Sequence, residues 1–256
     1  MNRESIKNTL VVSGLLCIIC SVLVSAAAVG LKQKQLLNKE LDQKKNILQV
    51  CKIAFEPDSI DALFSDNIQS RLVDLRTGEY VTETENGNLT VDTYSLKKVL
   101  QTDATNLEID PAGLGGRREN HAVIFLYAKE NQIIIPIRGR GLWSTLFGYV
   151  ALAEDARTVS GITFYDHGET PGLGGEVDNP SWKAQWIGKK SYDSDSKQAL
   201  TVIKGKVDSS RPQSIHEIDG LSGATITSKG VDNLIKFWMG ENGFAPFLTN
   251  LRAGEA

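Results

Sequence analysis

The sequence predicts an α+β fold in which a single N-terminal transmembrane helix precedes an antiparallel sheet with packed helices. Residues 9–31 form one run of 23 residues without a charged side chain, and no comparable run follows. Beyond residue 120, two pairs of short apolar runs are each separated by a polar turn, which is typical of β-hairpins. A helical pattern follows near the C-terminus. Strands and helices therefore occupy separate stretches of the chain, which favours the α+β class.

The composition excludes several classes of protein. The chain has 256 residues, of which 41% are hydrophobic and 23% charged, and its formal charge is −3. These values are ordinary for a globular protein, so disordered, collagen-like and disulfide-scaffold classes are excluded. After residue 31 the chain carries 26 basic and 30 acidic residues. Nucleic-acid binding needs clustered Lys and Arg, so we expect no nucleic-acid partner.

The uncharged run over residues 9–31 is long enough to cross a membrane. At about 1.5 Å per residue, a helix of this length spans roughly 35 Å, against about 30 Å for the hydrocarbon core. A cleaved signal peptide is the alternative, because residues 26–28 are three alanines that resemble a cleavage site. The apolar region of a signal peptide has only about 7–15 residues. The length thus favours an uncleaved anchor, preceded by a tail over residues 1–8.

Two features of this run carry little further information. Cys17 and Cys20 have the spacing of a CxxC motif, but no thioredoxin-like pattern follows them, so we interpret them as small apolar residues of the span. Basic residues lie on both sides of the run. Large domains are translocated largely regardless of such charges, so the charge pattern does not determine the orientation.

Residues 32–115 are predicted to form a helical and irregular N-terminal part of the soluble body. Residues 32–55 indicate a polar helix that continues the membrane helix and ends at Pro57. Asp58 or Ser59 can cap a second, amphipathic helix. The apolar side of that second helix is predicted from helical spacing to contain Ile60, Leu63, Phe64, Ile68 and Leu72. Residues 82–90 are polar and turn-rich.

Residues 116–256 are predicted to form the strand-rich part. Residues 122–127 and 132–137 flank a polar turn and predict one hairpin, and residues 147–152 and 159–165 predict a second. Residues 200–203 indicate a third, shorter strand. Ser228 is the expected cap of a final helix whose apolar side contains Val231, Leu234, Ile235 and Trp238. Trp182 and Trp186 are expected to pack on the sheet.

Three glycine-rich segments in this part are candidate functional sites: residues 138–145, 166–175 and 219–228. None of them contains the dinucleotide fingerprint GxGxxG, the P-loop GxxxxGK[ST] or the hydrolase elbow GxSxG. The three histidines, His121, His167 and His216, have no metal-binding spacing, so we predict no metal site. We also assign no catalytic residue.

The third glycine-rich segment has two possible interpretations. Gly223 and Ala224 are small and let the backbone approach an anion closely, and hydroxyl groups are supplied by Ser222, Thr225, Thr227 and Ser228. The helix that follows offers unpaired N–H groups and the positive end of its dipole. From the residues alone, this segment is either a phosphate-binding turn or a hydroxyl-rich helix cap.

Two motifs carry a resemblance to a known family. Residues 219–225 read DGLSGAT and resemble the Dxx[ST]GAT flavinylation motif of covalent FMN-binding domains. Residues 167–174 read HGETPGLG and resemble a second hallmark of the same proteins. Together with the N-terminal anchor and the length, they make the whole chain similar to the C subunits of bacterial sodium-translocating NADH:quinone oxidoreductases. The resemblance implies that residues 116–256 are an FMN-binding domain.

The resemblance also implies how the cofactor is attached. A dedicated flavin transferase would join the phosphate of FMN to the hydroxyl of Thr225 as a phosphoester. Ser222 would hydrogen-bond the phosphate, and Gly223 and Ala224 would complete the turn. Asp219 would either fix this turn or serve the transferase.

The remaining site residues are expected around the ring system of FMN: Trp143, Ser144, Thr170, Gly172, Leu173 and Gly174. Trp143 is a candidate for stacking on the ring, with an ordinary core position as the alternative. An orienting role is expected for His167 and Glu169, because electron transfer does not require them as acid–base groups.

By resemblance, the protein is expected to relay single electrons within a membrane complex, while NADH and ubiquinone bind to other subunits. It would have little activity alone. It would be a single-pass protein of the bacterial inner membrane, with its soluble body in the periplasm. Two alternatives remain open: the G subunit of an Rnf-type ion-translocating complex, and a membrane-anchored binding or scaffold protein without a redox role.

Overall fold

The computed structural model describes residues 6–82, 84 and 89–255. Residues 83 and 85–88 of the segment predicted to be turn-rich lie outside the described residues. The chain divides into two units, one up to Gln43 and one from Lys44 onwards. The predicted division at residue 116 stays a prediction.

The first unit consists of most of one long helix. Helix α1 covers Ile6–Val50, and by its length and composition it contains a segment that can cross a membrane. The predicted span over residues 9–31 lies within it. The side chains of Leu15, Leu16 and Leu23 are more than half exposed in this unit. Exposed leucines on a long uncharged stretch of a helix are the pattern expected for contact with lipid.

A left-handed turn at Lys52 ends α1, and the prediction that Pro57 ends it was wrong. The backbone of Lys52 has a φ of 60°. The amides of Lys52 and Ile53 donate hydrogen bonds of 2.9 Å to the carbonyls of Gln49 and Leu48. These two bonds define a Schellman motif, which satisfies the last carbonyls of a helix. The helix is therefore closed before the chain reaches the proline.

The second predicted helix is shorter than expected. Helix α2 covers Ile60–Asn67, and the chain then continues directly as strand β1, Ile68–Asp74. Ile68 and Leu72 are buried strand residues, so their assignment to the helix was wrong. A spacing of four residues places side chains on one face of a strand as well as on one side of a helix. Ser59 stands at the N-cap of α2 without a side-chain capping bond.

The remaining elements follow in chain order. The strands are β2 (Glu79–Val81), β3 (Ala104–Asn106), β4 (Arg117–Glu119), β5 (His121–Tyr127), β6 (Gln132–Arg140), β7 (Thr145–Leu152), β8 (Val159–Asp166), β9 (Thr201–Val202) and β10 (Glu217–Ile218). The helices are α3 (Leu96–Thr102), α4 (Pro180–Ala184), α5 (Thr225–Trp238) and α6 (Ala245–Ala253).

The second unit is built on an antiparallel sheet, which within the described residues has six strands in the order β2-β1-β5-β6-β7-β8. Both predicted hairpins, β5–β6 and β7–β8, are confirmed. The shorter strand predicted at residues 200–203 is reduced to the two residues of β9, which pair in parallel with β10 outside this sheet. The predicted fold class, with its antiparallel sheet and packed helices, is confirmed.

Both faces of the sheet are covered. Ile135 of β6 belongs to the same buried cluster as Leu234 of α5, whereas the preceding Ile134 belongs to a cluster with Ile47 and Leu48 at the end of α1. Successive side chains of a strand point to opposite faces. The central strand β6 is therefore buried on both faces, with α5 on one of them.

Helix α5 begins four residues earlier than predicted, with Ala224 and not Ser228 at its N-cap. Ser228, the expected cap, lies inside the helix, and its hydroxyl accepts a 2.8 Å hydrogen bond from the amide of Leu221. The predicted apolar side of the helix is confirmed, because all four of its residues are buried. The third glycine-rich segment thus runs directly into α5.

The two tryptophans expected to pack on the sheet, Trp182 and Trp186, are buried, and their rings lie edge to face 5.4 Å apart.

Candidate functional site

The three glycine-rich segments meet around the side chain of Glu169. One carboxylate oxygen, Oε1, accepts a 2.9 Å hydrogen bond from the backbone amide of Trp143. The other, Oε2, accepts a 2.5 Å hydrogen bond from the hydroxyl of Thr227. Trp143 belongs to the first segment, Glu169 to the second and Thr227 to the third. One carboxylate therefore connects all three segments.

Glu169 is buried, with only 5% of its surface exposed. Burial by itself would raise the pKa of this carboxyl group. The hydrogen bonds from Thr227 and from the backbone amides of Trp143, Leu142 and Ser144 outweigh the burial and place the pKa below its ordinary value. The carboxylate is therefore ionised at neutral pH.

Two glycines leave the space that this carboxylate occupies. A Cβ atom on Gly141 would lie 2.5 Å from Oε1 of Glu169. A Cβ atom on Gly174 would lie 2.6 Å from Oε2 of Glu169 and 2.5 Å from the hydroxyl oxygen of Thr227. These distances are shorter than any contact that a Cβ atom makes in practice. The packing around Glu169 therefore requires glycine at both positions.

The third segment presents one threonine to solvent and buries another. Thr225 is the exposed first residue of α5, whereas Thr227 is only 1% exposed and is bonded to Glu169. A helix turns by about 100° per residue, so residues two apart lie on nearly opposite sides. Of these two hydroxyls, only that of Thr225 is accessible to a bulky reactant.

The N-terminus of α5 can receive an anion. No side chain caps it within the described part of the chain, since Ala224 holds the N-cap position. Ser222 and Gly223 are exposed beside it, and Gly223 has a φ of 72°, which favours glycine. The free amides and the helix dipole favour negative charge at such a terminus. Of the two interpretations left open by the sequence, this geometry favours the phosphate-binding turn.

Four large apolar side chains on these segments are exposed, and we call them the apolar rim: Leu142, Trp143, Leu173 and Ile226, with 40%, 66%, 45% and 59% of their surface exposed. The alternative that Trp143 is an ordinary core residue was wrong. The second and third segments approach each other here, because a Cβ atom on Gly223 would lie 3.1 Å from the side chain of Leu173. Exposed apolar groups beside an anion site suit a flat aromatic ring that carries a phosphate.

The other predicted site residues shape the loops. The carbonyl of Thr170 accepts hydrogen bonds from the amides of Leu173 and Gly175, at 3.1 and 2.9 Å, and closes a tight turn. Gly172 lies within this turn with a φ of 76°. The hydroxyl of Ser144 accepts a 2.6 Å hydrogen bond from the amide of Gly168, which joins the first segment to the second.

His167 holds the backbone beside Glu169. Its Nε2 lies 2.7 Å from a carboxylate oxygen of Asp178, and its Nδ1 accepts a 3.2 Å hydrogen bond from the amide of Glu169. The hydrogen bond to Asp178 raises the pKa of His167. These contacts suit an orienting role, which stays a prediction.

Asp219 fixes the turn that leads to Thr225. A carboxylate oxygen of Asp219 accepts a 2.7 Å hydrogen bond from the amide of Val207, and its carbonyl accepts one of 2.8 Å from the ring N–H of Trp182. Of the two roles expected for Asp219, these contacts support the structural one.

Sequence reasoning missed the contact between Glu169 and Thr227 and two members of the apolar rim. Glu169 and Thr227 are 58 residues apart, and no local pattern links them. Leu142 precedes Trp143, and Ile226 stands between two threonines, in segments otherwise rich in glycine, arginine and hydroxyl groups. Large apolar residues in such segments are the signal in the sequence that could have identified them.

The site combines an exposed hydroxyl, an uncapped helix N-terminus and an apolar rim, and these residues fit the phosphate and the ring of a flavin nucleotide. Residues 141–240, which contain all three glycine-rich segments except for the last residues of β6, match the family model of the FMN-binding domain. The fold and the site thus define an FMN-binding flavoprotein domain.

Full-length relatives identify the family. The chain is 45% identical to the C subunit of the Na(+)-translocating NADH-quinone reductase of Pseudomonas aeruginosa, over 100% of this chain and 99% of that protein. It is 44% identical to the corresponding C subunit of Vibrio parahaemolyticus, over 99% of this chain and 98% of that protein. The chain therefore belongs to the family of Na(+)-translocating NADH-quinone reductase C subunits, and the resemblance inferred from its motifs is confirmed.

Solved structures agree with this assignment. The crystal structure of NqrC from Shewanella oneidensis superposes with a TM-score of 0.75 at 29% identity, covering 85% of this chain and 99% of that one. The C subunit of the Na(+)-translocating NADH-quinone reductase from Parabacteroides distasonis superposes with a TM-score of 0.65 at 26% identity, covering 86% of this chain and 97% of that one.

Proposed function

We propose that this chain carries FMN esterified through its phosphate to Thr225, and that it relays electrons within a membrane-bound sodium-translocating NADH:quinone oxidoreductase. The observation that carries the proposal is the position of Thr225. Its hydroxyl is exposed at the first residue of an uncapped helix, two residues before a threonine whose hydroxyl is buried. When bound, FMN supplies a redox centre that accepts and donates single electrons.

Different residues of the chain hold the phosphate and the ring of the cofactor. The helix N-terminus and Ser222 hold the phosphate, and Gly223 and Ala224 let the backbone approach it. The loop residues Thr170, Gly172 and Gly174 shape the backbone, and Ser144 ties the first segment to the second. Trp143 and Leu173 of the apolar rim cover the ring. A phosphoester retains the cofactor even where the surrounding site is open to solvent.

The proposal also includes the location of the protein in the membrane and its partner proteins. Helix α1 anchors the chain in the bacterial inner membrane, and the FMN-binding domain lies on the periplasmic side, an orientation that comes from the resemblance and not from charge. A flavin transferase acts on Thr225 during maturation. Other membrane subunits of the complex exchange electrons with this domain and bind NADH and quinone. The full-length similarity to the C subunits of two such reductases supports these partners.

Covalent attachment is tested by producing the full chain together with a flavin transferase. The protein should give a fluorescent band on a denaturing gel, and its mass should rise by that of one FMN less one water. Thr225→Val removes the hydroxyl and keeps the shape of an exposed residue, so its thermal unfolding should match that of the wild type while the label is lost.

Ser222→Ala is the comparison variant, because it removes a neighbouring exposed hydroxyl that is proposed to hold the phosphate and not to form the ester. It should be labelled more slowly but should reach the same final mass. A wild-type protein of unmodified mass would refute the proposal, and so would a Thr225→Val variant that keeps the label. The orientation is tested separately with a membrane-impermeant reagent on intact cells, which should reach a cysteine introduced in the domain. Protection of that cysteine until the cells are opened would place the domain in the cytoplasm.

A further inference from the structure

Glu169 is the buried carboxylate that joins the three glycine-rich segments. It accepts hydrogen bonds from the amide of Trp143 and the hydroxyl of Thr227, and it is enclosed by Gly141 and Gly174. We propose that Glu169 is a positioning residue that orients Thr225 through Thr227, and that its negative charge lowers the midpoint potential of the attached flavin. This inference rests on the proposed function.

The positioning argument follows from the geometry of α5. Thr225 and Thr227 both lie in the first turn of the helix, so a bond that holds the Thr227 side chain also holds the backbone from which the Thr225 hydroxyl projects on the other side of the turn. The 2.5 Å bond from Thr227 ties this turn to Glu169, and the 2.9 Å bond from Trp143 ties the loop of the apolar rim to the same carboxylate. The carboxylate of Glu169 therefore holds both the helix turn that carries Thr225 and the loop that carries Trp143 in fixed positions.

The electrostatic argument follows from the donors that surround the carboxylate. The hydrogen bonds to Glu169 come from a hydroxyl and from backbone amides, which carry no net charge. No ion pair joins Glu169 to a Lys or Arg side chain within residues 6–82, 84 and 89–255. His167 lies close enough for Glu169 to raise its pKa, but its ion-pair partner is Asp178. Charges interact more strongly in a buried site than in water. Reduction adds negative charge to the flavin, so a fixed anion bonded to the loop that would cover the ring would disfavour reduction.

Two variants separate the charge from the hydrogen bond. Glu169→Gln keeps the shape of the side chain and removes its charge, whereas Thr227→Val keeps the charge and removes its hydroxyl donor. Each variant is produced as the full chain with the flavin transferase, and the flavinylated fraction is measured by intact mass. The midpoint potential of the labelled, detergent-purified protein is measured by spectroelectrochemical titration.

We expect the midpoint potential of Glu169→Gln to shift to more positive values. Thr227→Val should shift it to more negative values or leave it unchanged, because the carboxylate remains and has lost a compensating donor. The initial rate of flavinylation should fall by at least about threefold in Thr227→Val. Thr227→Ser, which restores a hydroxyl at the same position, should recover most of that rate.

A purely structural role would move both potentials in the same direction, and that result would overturn the inference. Wild-type labelling rates in Thr227→Val would overturn it as well, and this variant decides the matter if Glu169→Gln does not fold. If the proposed function itself is wrong, intact mass will show it, because the wild-type chain will then carry no FMN on Thr225.

Discussion

The hydroxyl of Thr163 in strand β8 donates a 2.9 Å hydrogen bond to the side-chain oxygen of Asn46 near the end of α1. Thr163 is 2% exposed and Asn46 is 7% exposed. Thr163→Val keeps the volume and removes the donor. We expect it to lower the free energy of unfolding of the detergent-solubilised chain by about 1–2 kcal/mol, measured by urea denaturation.

The chain contains a matched control for this bond. Thr105 donates a 2.6 Å hydrogen bond to the side-chain oxygen of Asn120, in the same chemical arrangement but at the surface. Thr105→Val should change the free energy of unfolding by less than about 0.5 kcal/mol. Equal losses in the two variants would show that burial does not determine the strength of the Thr163 bond.

A second prediction concerns the buried ion pair between Arg138 of β6 and Glu119 of β4, whose side chains are 8% and 4% exposed. The guanidinium of Arg138 also lies over the ring of Trp238, 5.5 Å from its centroid. Glu119→Gln leaves the buried cation without a countercharge. Breaking one partner of a buried pair costs about 3–5 kcal/mol, and we expect a loss of unfolding free energy of that order.

The exposed pair between Lys44 and Asp61 provides the comparison for Glu119. Its atoms are 2.8 Å apart, and the side chain of Asp61 is 71% exposed. Asp61→Asn should cost less than about 1 kcal/mol in the same urea titration. If Glu119→Gln cost no more than Asp61→Asn, the buried pair would contribute no more than a surface pair.

A third prediction concerns stability in acid. The carboxylate of Asp155 accepts hydrogen bonds from the amides of Arg157 and Thr158, at 3.0 and 2.7 Å, in the turn between β7 and β8. Burial opposes its charge, but the hydrogen bonds from Thr158, Arg157 and Lys190 outweigh this effect and lower the pKa of Asp155 to about 2.

The ordinary pKa of Asp is about 3.9, so the contribution of Asp155 to stability is fully present above that pH and is lost as the pH falls towards 2. Thermal unfolding of the wild type and of Asp155→Asn should therefore differ by a constant amount from about pH 5 to 7, and the difference should shrink at lower pH. A difference that grows on acidification would contradict the depressed pKa.

A fourth prediction concerns Gly174. A Cβ atom there would press on the hydroxyl oxygen of Thr227 and the carboxylate of Glu169. Gly174→Ala should cost about 1–3 kcal/mol of unfolding free energy and should also slow flavinylation of Thr225. Gly188→Ala is the control, because its φ of 83° is unfavourable for alanine but the space around it is open. It should cost about 1 kcal/mol and be labelled at the wild-type rate.

The sequence predicted those parts of the fold that local patterns determine. The two hairpins follow from apolar runs separated by polar turns, and the buried side of α5 follows from helical spacing. Strand β1 was missed because Ile68 and Leu72 fit a helix and a strand equally well. Pairing with β5, which decides between the two, depends on residues about fifty positions further along the chain.

For the candidate site, too, the features set by local sequence could be predicted and those set by distant contacts could not. The position of Thr225 in its motif and the glycine-rich loops could be predicted from the sequence, because they depend on short runs of residue types. The exposure of Thr225 and the burial of Thr227 could not, because they depend on where α5 begins and on which side faces Glu169. A single sequence contains no information about that contact.

The enclosure of Glu169 changes how the glycines of this site should be understood. Gly141 and Gly174 are needed here for the volume they leave empty and not for flexibility, since their absent side chains leave the room in which one carboxylate lies. Position 169 sets the space at 141, whereas positions 169 and 227 together set the space at 174. In a protein of this fold with a shorter residue at position 169, alanine should become acceptable at 141, but alanine at 174 should also require a smaller residue at 227.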